Sequence, residues 1–202
     1  MSLRPLILPL LGLMALGICS CHNPGGPLRE NYTNLAPSRE VVAAGRAKPK
    51  DRHGMPIYTY GQKLRHARTT AYTCTELDHL QYGSKTAFGT QLRYGQRMCS
   101  AAADWSFYPL GTTFRIKGMP QLFIIDDYGS ALLGTATVDL YKPNHELVRM
   151  WGVRKVELTV VQWGSMRRSA ETLAQRTRYR HCRLMLENIL RQQPALRSQI
   201  KR

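Results

Sequence analysis

The sequence has few acidic residues, with 13 Asp and Glu against 29 Lys and Arg, which gives a formal net charge of +16. None of its five cysteines forms a Cys-x-x-Cys pair, and its histidines show no metal-ligand spacing. Its N-terminal apolar run, residues 5–18, is shorter than the roughly 20 residues that a membrane-spanning helix needs. We therefore expect no metal ion, no other cofactor and no transmembrane helix.

The N-terminus has the layout of a secretory signal: one early charge at Arg4, the apolar run, and then Cys-Ser-Cys at residues 19–21. This end resembles a bacterial lipobox, and it favours Cys21 for lipidation because the small Ser20 precedes it. An ordinary cleaved signal peptide without a lipid is the alternative. The sequence predicts a signal peptide over residues 1–20 and an exported lipoprotein that is anchored in a membrane and faces the periplasm.

Export changes how the remaining cysteines and the basic charge are interpreted. In an oxidising compartment Cys74 and Cys99 are the disulfide candidate, with Cys182 left over, and three buried thiols are the alternative. A charge of +16 would suggest a nucleic-acid partner inside a cell, but export argues against one. Phospholipid headgroups, lipopolysaccharide and the cell wall are the polyanions that an exported basic protein meets.

The composition divides the mature chain into three parts. Residues 21–65 are rich in Pro, Gly, Asn and basic residues and are predicted to be a flexible, disordered linker. Residues 66–164 contain short strand-like runs punctuated by Gly and Pro, which predicts a small all-β barrel or sandwich. The runs are RTTAYTC, TAFGTQL, GTTFRIK, QLFIID, SALLG, TVDLY and VRKVELTVVQW.

Two helical segments are predicted beside these strands. Asn144 can cap a short helix over residues 145–151 that ends at Gly152. Residues 165–202 are a basic helical C-terminal extension, in which Cys182, Met185 and Ile189 lie on one apolar stripe. The stripe can pack on the barrel, or the basic helix can lie on an anionic membrane surface.

The segment IIDDYGSALLGTATVDLY, residues 124–141, places three aspartates among apolar and small residues. Alternation along TVDLY puts Asp139 on the opposite face from Val138 and Leu140. Asp126 and Asp127 come just before Tyr128-Gly129, where a turn is expected and Asp is favoured. The turn is sufficient to explain one of that pair, and aspartates in such a segment otherwise invite a chemical explanation.

The same segment resembles the 3D domain, a family named for its three aspartates. Further blocks in the family's order are TAYT, TAFGT, AAAD, YPLGT and WGVRKV, so that the resemblance spans residues 70–156. The family is similar to the catalytic domain of membrane-bound lytic transglycosylase A. The resemblance implies a six-stranded double-psi β-barrel that acts on peptidoglycan.

The resemblance also implies roles for individual residues. The three family aspartates correspond to Asp104, Asp127 and Asp139, with Asp139 as the catalytic acid and then base and Asp127 as its support. The blocks that contain Thr70, Tyr72, Thr86 and Tyr141 are expected to line the cleft and bind substrate. Glu76, Asp78 and His79 form a polar cluster that can contact sugar, although a surface loop is the simpler interpretation.

The predicted function is a lytic transglycosylase that cleaves the bond between N-acetylmuramic acid and N-acetylglucosamine in peptidoglycan glycan strands. One carboxyl suffices for this reaction because the C6 hydroxyl of the substrate supplies the nucleophile, whereas glycosidases usually need two carboxyl groups. The alternative is a module that binds or loosens the wall without turnover, as expansin-like proteins do. The protein is expected to be a monomer that binds the wall, with no nucleic-acid partner.

Overall fold

The computed structural model describes residues 32, 34–76 and 83–200. The predicted signal peptide and Cys21 lie outside the described residues, as do Asp78 and His79. The described residues form six strands, which are β1 (Leu64–Tyr72), β2 (Met98–Ala103), β3 (Thr113–Ile116), β4 (Leu122–Asp127), β5 (Val138–Tyr141) and β6 (Arg154–Gln162). They also form four α-helices, which are α1 (Arg39–Arg46), α2 (His145–Trp151), α3 (Met166–Ala174) and α4 (Arg180–Gln192).

The six strands close into a barrel in the order β1-β5-β2-β4-β3-β6, with β6 pairing back onto β1. The pairs β1·β5 and β2·β4 are parallel, and the other four pairs are antiparallel. The predicted barrel is therefore confirmed. The prediction of an all-β chain is too simple, because α-helices flank the barrel at both ends of the described chain.

The barrel core follows from alternation along each strand, because successive side chains point to opposite faces. Val156, Leu158 and Val160 of β6 are buried at every second position. Phe114 of β3 stacks on Phe123 of β4 with ring centroids 5.3 Å apart. Burial of these side chains, each worth roughly 1.5–3 kcal/mol, stabilises the closed sheet.

Five of the seven predicted strand runs overlap observed strands. The run TAFGTQL forms turns with an isolated bridge between Lys85 and Gln91, and SALLG forms a 3-10 helix over Ser130–Leu132. The sequence also failed to reveal β2, whose residues MCSAAA are small after Met98 and mostly buried on both faces. A strand with two buried faces shows no alternation between apolar and polar residues.

The predicted disordered linker over residues 21–65 is wrong for the part that the structure describes. Ser38 caps α1, and its backbone N–H donates to Oε2 of Glu157 at 2.9 Å. The buried guanidinium of Arg65 lies 5.4 Å from the ring of Tyr58 in this segment and also contacts aromatic rings of the barrel and its C-terminal side. Met55 is buried as well. These contacts supply the ordering energy that composition alone did not predict.

The helix predicted over residues 145–151 is confirmed as α2. The side chain of Asn144 accepts a hydrogen bond from the backbone N–H of Leu147, and the helix ends at Gly152, whose φ is 59°. Glycine adopts this left-handed conformation without the steric cost that a side chain would add.

The C-terminal extension forms two helices, α3 and α4, and both pack on the barrel. The apolar stripe of α4 is buried in the common core, so the packing alternative is the one observed. The hydroxyl of Ser169 accepts from the backbone N–H of Leu110 at 2.8 Å. Gly164 precedes α3 at a point where a Cβ would clash with the carbonyl oxygens of Pro109 and Leu110. No helix among the described residues is long and apolar enough to cross a membrane.

Candidate active site

Strand order brings Asp127 and Asp139 to one cleft. Ala102 of β2 pairs with Asp127 of β4 on one side and with Asp139 of β5 on the other. Paired residues of neighbouring strands project to the same face of a sheet, and the small Ala102 leaves room between the two carboxyl groups. The cleft has a volume of about 90 Å³ and is lined by Tyr72, Glu76, Ala102, Asp127, Tyr128, Gly129, Ser130, Ala131, Leu132 and Asp139.

Asp139 is the carboxyl group best suited to donate a proton. It is half-buried and faces the cleft, and the hydroxyl of Thr70 donates to its Oδ1 at 2.6 Å. Burial raises the pKa of Asp139 to about 7, since a desolvated carboxylate is unfavourable. The Thr70 hydrogen bond opposes that rise, while the negative charges of Glu76 and Asp127 add to it.

Asp127 is held by three hydrogen-bond donors. The Tyr72 hydroxyl donates to Oδ2 at 2.9 Å, and the backbone N–H groups of Ala87 and Tyr128 donate to Oδ1 at 2.8 and 2.9 Å. The indole N–H of Trp105 donates to its backbone carbonyl oxygen at 2.9 Å. Hydrogen bonds to a carboxylate stabilise its negative charge and fix its orientation. Asp127 therefore presents a rigid acceptor beside Asp139.

Asp104 does not reach the cleft, so its predicted catalytic role is not supported by its position. The residue is fully buried. Its Oδ1 accepts from the backbone N–H and the hydroxyl of Ser106, and its Oδ2 accepts from the N–H of Gly134. These bonds tie the end of β2 to the loop that leads into β5. Asp104 therefore supports the strand that carries Asp139.

The four residues predicted to bind substrate fall into two pairs. Thr70 and Tyr72 bond directly to the two cleft carboxyl groups, and Tyr72 also lines the cleft. Thr86 and Tyr141 are buried and do not line it. Thr86 bonds to Thr90 and shapes the loop that presents the N–H of Ala87. The hydroxyl of Tyr141 points to Sγ of Cys74 at 3.8 Å.

Sequence reasoning left several cleft residues unassigned. Glu76 lines the cleft, although the sequence favoured a simple surface loop. The segment 128–132 forms one wall of the cleft. The family motif continues past the aspartates into this segment, so the motif could have identified it as part of the site. Asp126 was expected in a turn, but both Asp126 and Asp127 belong to β4. The turn explanation was therefore wrong.

The C-terminal helices also contact this wall. Arg176, between α3 and α4, donates to the carbonyl oxygen of Ala87 and to the hydroxyl of Tyr128. Cys182 of α4 lies 3.3 Å from the same hydroxyl. Ala87 and Tyr128 are the two residues whose N–H groups hold Asp127. Arg176 thus acts on the Asp127 carboxylate indirectly, through Ala87 and Tyr128. No local sequence pattern indicates its contacts with these two residues.

The predicted disulfide between Cys74 and Cys99 is not formed in the structure. Both residues are buried; the thiol of Cys99 donates to the carbonyl oxygen of Gly95, and Sγ of Cys74 accepts from Tyr141. Each sulfur is thus held in its own hydrogen-bonded position. Within the described part of the chain, no cluster of three or more His, Cys, Asp or Glu side chains could hold a metal ion.

Residues 99–162 match the family model described as the 3D domain. This segment is therefore similar to the 3D domain family. The match contains Asp104, Asp127 and Asp139 and extends from β2 to β6, so the predicted resemblance is confirmed. It covers about a third of the 202 residues and begins after Thr70, where the resemblance in the sequence starts. The comparison with curated proteins returns no match.

The 3D domain is a peptidoglycan-related family of double-psi barrels, related to membrane-bound lytic transglycosylase A. The matched residues supply five of the six barrel strands, and β1 lies outside the match. Thr70 and Tyr72, which bond to the two cleft carboxyl groups, come from β1. The cleft is therefore completed by residues outside the matched segment.

Proposed function

We propose that this protein is a lytic transglycosylase that cleaves peptidoglycan glycan strands, with a barrel of the double-psi type. The observation that carries the proposal is the position of Asp139: it faces a cleft, and burial raises its pKa to about 7 beside the fixed carboxylate of Asp127. A general acid works best when its pKa lies near the working pH. Two parallel strand pairs within a closed six-stranded barrel agree with the double-psi topology.

The reaction needs one carboxyl group, which first donates a proton and then accepts another. Protonated Asp139 donates to the glycosidic oxygen as the bond from that oxygen to C1 of N-acetylmuramic acid breaks. The C6 hydroxyl oxygen of the same sugar then bonds to C1, and its proton passes to the Asp139 carboxylate. The product carries a 1,6-anhydro ring, Asp139 is protonated again, and no water is consumed.

Asp127 and Thr70 assist this cycle from fixed positions. Positive charge develops at C1 in an oxocarbenium-like transition state, and the Asp127 carboxylate is the nearby group that can stabilise it. Its three hydrogen bonds mean that it need not reorient during the reaction. Thr70 donates to Oδ1 of Asp139, which leaves Oδ2 as the oxygen that can carry the proton.

A module that binds the wall without cleaving it is the second candidate. The observation in its favour is the small size of the cleft. Its volume is about 90 Å³, whereas sites for drug-sized ligands usually enclose about 300–1,000 Å³. The charge of +16 also favours association with an anionic wall. On this hypothesis, the two aspartates would bind sugar hydroxyls and not transfer a proton.

Incubation of the purified protein with sacculi distinguishes the two candidates. The proposed enzyme should release muropeptides with 1,6-anhydro ends, which mass spectrometry identifies, and should also pellet with the sacculi. Pelleting without any anhydro product would support the binding module. Failure to pellet and to release product would contradict both.

We also propose that the protein is exported as a monomeric lipoprotein, with Cys21 carrying the lipid. The support is the signal-like layout of the N-terminus and the small Ser20 before Cys21. Its partners are then the membrane, through the anchor, and the glycan strands of the wall. Cys21→Ala should release the protein from the membrane fraction or block its processing, and unchanged attachment would contradict the lipid anchor.

A further inference from the structure

A second cavity lies on the other face of β4. Side chains alternate along a strand, so Asp126 points away from the face that carries Asp127. The second cavity has a volume of about 120 Å³ and lies between β4, the loop around Phe88 and the start of α3. The activity proposed above uses neither this cavity nor Asp126.

Asp126 forms the polar end of this cavity and is poorly satisfied there. Only 4% of the residue is exposed. The hydroxyl of Ser100 donates to Oδ2 at 2.9 Å, whereas Oδ1 has no hydrogen-bond partner in the described structure. Burial raises the pKa of Asp126 to about 7, against the opposing effects of Ser100 and Arg93. An unpaired buried acceptor costs free energy that a bound donor would recover.

The opposite end of the cavity is cationic. Arg93 and Arg168 both line it, and both are exposed. The guanidinium of Arg168 lies 4.5 Å from the centroid of the Phe88 ring, and Phe88 also lines the cavity. Between the two charged ends the wall is apolar and includes Leu110 and Ile124. The cavity therefore presents an acceptor at its base, a short apolar wall and two guanidinium groups at its edge.

We propose that this cavity binds the α-amino acid group of a small ligand, with the ammonium on Asp126 and the carboxylate between Arg93 and Arg168. A simple anion would meet the buried carboxyl of Asp126, and a simple cation would meet two arginines. A zwitterion satisfies both ends at once. A volume of about 120 Å³ leaves room for a small ligand, which suits a molecule of the size of alanine.

Two sources carry this chemistry. One is a free small amino acid, and the other is the amino acid end of a wall peptide, such as the side arm of diaminopimelate. Only the second source rests on the proposed action on peptidoglycan. Titration with alanine tests the site whether or not the protein cleaves glycan.

The test is an NMR titration of the full chain at about pH 8, above the raised pKa of Asp126 so that its carboxyl is ionised, following backbone amide shifts at Phe88, Arg93 and Asp126. D-alanine and L-alanine are the probes, and acetate and ethylamine each supply only one of the two charges. Alanine should saturate these shifts in the millimolar range, and the single-charge probes should bind at least about tenfold more weakly. Acetate or ethylamine binding as tightly as alanine, or the absence of any shift with alanine and with the muropeptide below, would overturn the proposal.

Variants locate the site. Asp126→Asn and Arg168→Gln should each weaken alanine binding roughly tenfold, since each removes a charged hydrogen-bond partner. Arg167→Gln is the matched control, because Arg167 is the exposed neighbour that pairs with Glu171 outside the cavity. If Asp126→Asn does not fold, Arg168→Gln and Arg93→Gln still test the site, because both side chains are exposed and their substitution should not prevent folding. Wild-type affinity in the arginine variants would overturn the proposal.

A third probe separates the two sources. A muropeptide whose diaminopimelate arm is free should compete for the same amide shifts if the ligand is part of the wall. Tighter binding of this muropeptide than of alanine supports the wall source. Equal or weaker binding, with alanine still saturating the site, supports a free amino acid.

Discussion

Asp126 and Asp127 project from opposite faces of β4, and their carboxyl groups differ in hydrogen bonding and surroundings. Asp127 accepts three hydrogen bonds and lies beside Asp139 in a cleft with polar walls. Asp126 accepts one hydrogen bond from a side chain, and its second oxygen is unpaired in an apolar cavity edged by arginines. One dipeptide in the sequence thus contributes to two sites, because alternation along a strand sends adjacent side chains in opposite directions.

The comparison shows that burial alone does not determine what an aspartate does. Asp126 and Asp139 both have a pKa raised to about 7 by burial. Asp139 is half-buried and meets a cleft that a sugar oxygen can enter, whereas Asp126 is almost fully enclosed. Proton transfer needs access to the reacting atom as well as a suitable pKa.

The largest effect is expected on the cleft side. Asp139→Asn keeps the shape of the side chain and removes the proton that moves, so the rate of anhydro product release should fall by roughly 10²–10⁴. The assay is kcat/KM on purified sacculi, with a melting curve to verify folding. Glu187→Gln, which removes an exposed carboxylate on α4, is the control and should retain full activity. A loss of kcat/KM of less than about tenfold in Asp139→Asn would contradict the catalytic role that distinguishes Asp139 from Asp126.

On the other face, Asp126→Asn should change how stability depends on pH. The folded state holds the proton of Asp126 up to about pH 7, whereas the ordinary pKa is 3.8. The wild type therefore loses stability as pH rises from about 4 to about 7, and the variant lacks this loss. At about 1.4 kcal/mol per pKa unit, the variant should gain a few kcal/mol relative to the wild type over this range.

Denaturant unfolding at several pH values measures that gain. The relevant quantity is the difference in unfolding free energy between variant and wild type, because other groups titrate equally in both proteins. A difference that stays constant from pH 4 to pH 7 would show that Asp126 titrates at its ordinary pKa.

A smaller effect is expected from the hydrogen bond that Tyr72 donates to Asp127. Tyr72→Phe keeps the ring and removes one donor, and hydrogen bonds to charged groups contribute about 1.5–3 kcal/mol. Activity should fall about tenfold or more, and the alanine affinity of the second cavity should not change. Tyr60→Phe is the control, since that hydroxyl bonds to the backbone of Gly164 outside the cleft. Equal activity in both variants would contradict a role for the tyrosine in holding Asp127.

The smallest effect is expected from Arg176, which acts on Asp127 through Ala87 and Tyr128. Arg176→Gln should reduce activity a few-fold and increase hydrogen exchange at the Ala87 amide, because one stabilising contact of about 1 kcal/mol is lost. Arg178→Gln is the control, since Arg178 contacts only the neighbouring Tyr179 among its described hydrogen-bond partners. Unchanged amide exchange at Ala87 in Arg176→Gln would contradict the positioning role.

The sequence predicted the parts of the site that local patterns encode. Alternation in TVDLY correctly separated Asp139 from Val138 and Leu140, both of which are buried. The motif identified Asp127 and Asp139, and the family match confirms the segment that contains them. A barrel and the capped helix α2 also followed from turn residues and capping residues.

The remaining features depend on tertiary contacts that no local pattern carries. Ala102 lies between the two acids only because β2 lies between β4 and β5 in the barrel. The segment before Arg65 looked disordered because its composition is polar, yet Leu35 packs in the common core and Met55 and Tyr58 are buried. Arg176 reaches the site from a loop between two helices, far along the chain from the family motif.

The most direct test of the account is the mass of the glycan product formed by the full-length protein in water labelled with heavy oxygen. If Asp139 transfers the proton and the C6 hydroxyl attacks C1, the product is a 1,6-anhydro sugar that is one water lighter than a hydrolysis product. It should then contain no heavy oxygen. A new reducing-end sugar, absent without the protein and one labelled water heavier than the anhydro sugar, would show that water is the nucleophile, and it would contradict the proposed mechanism.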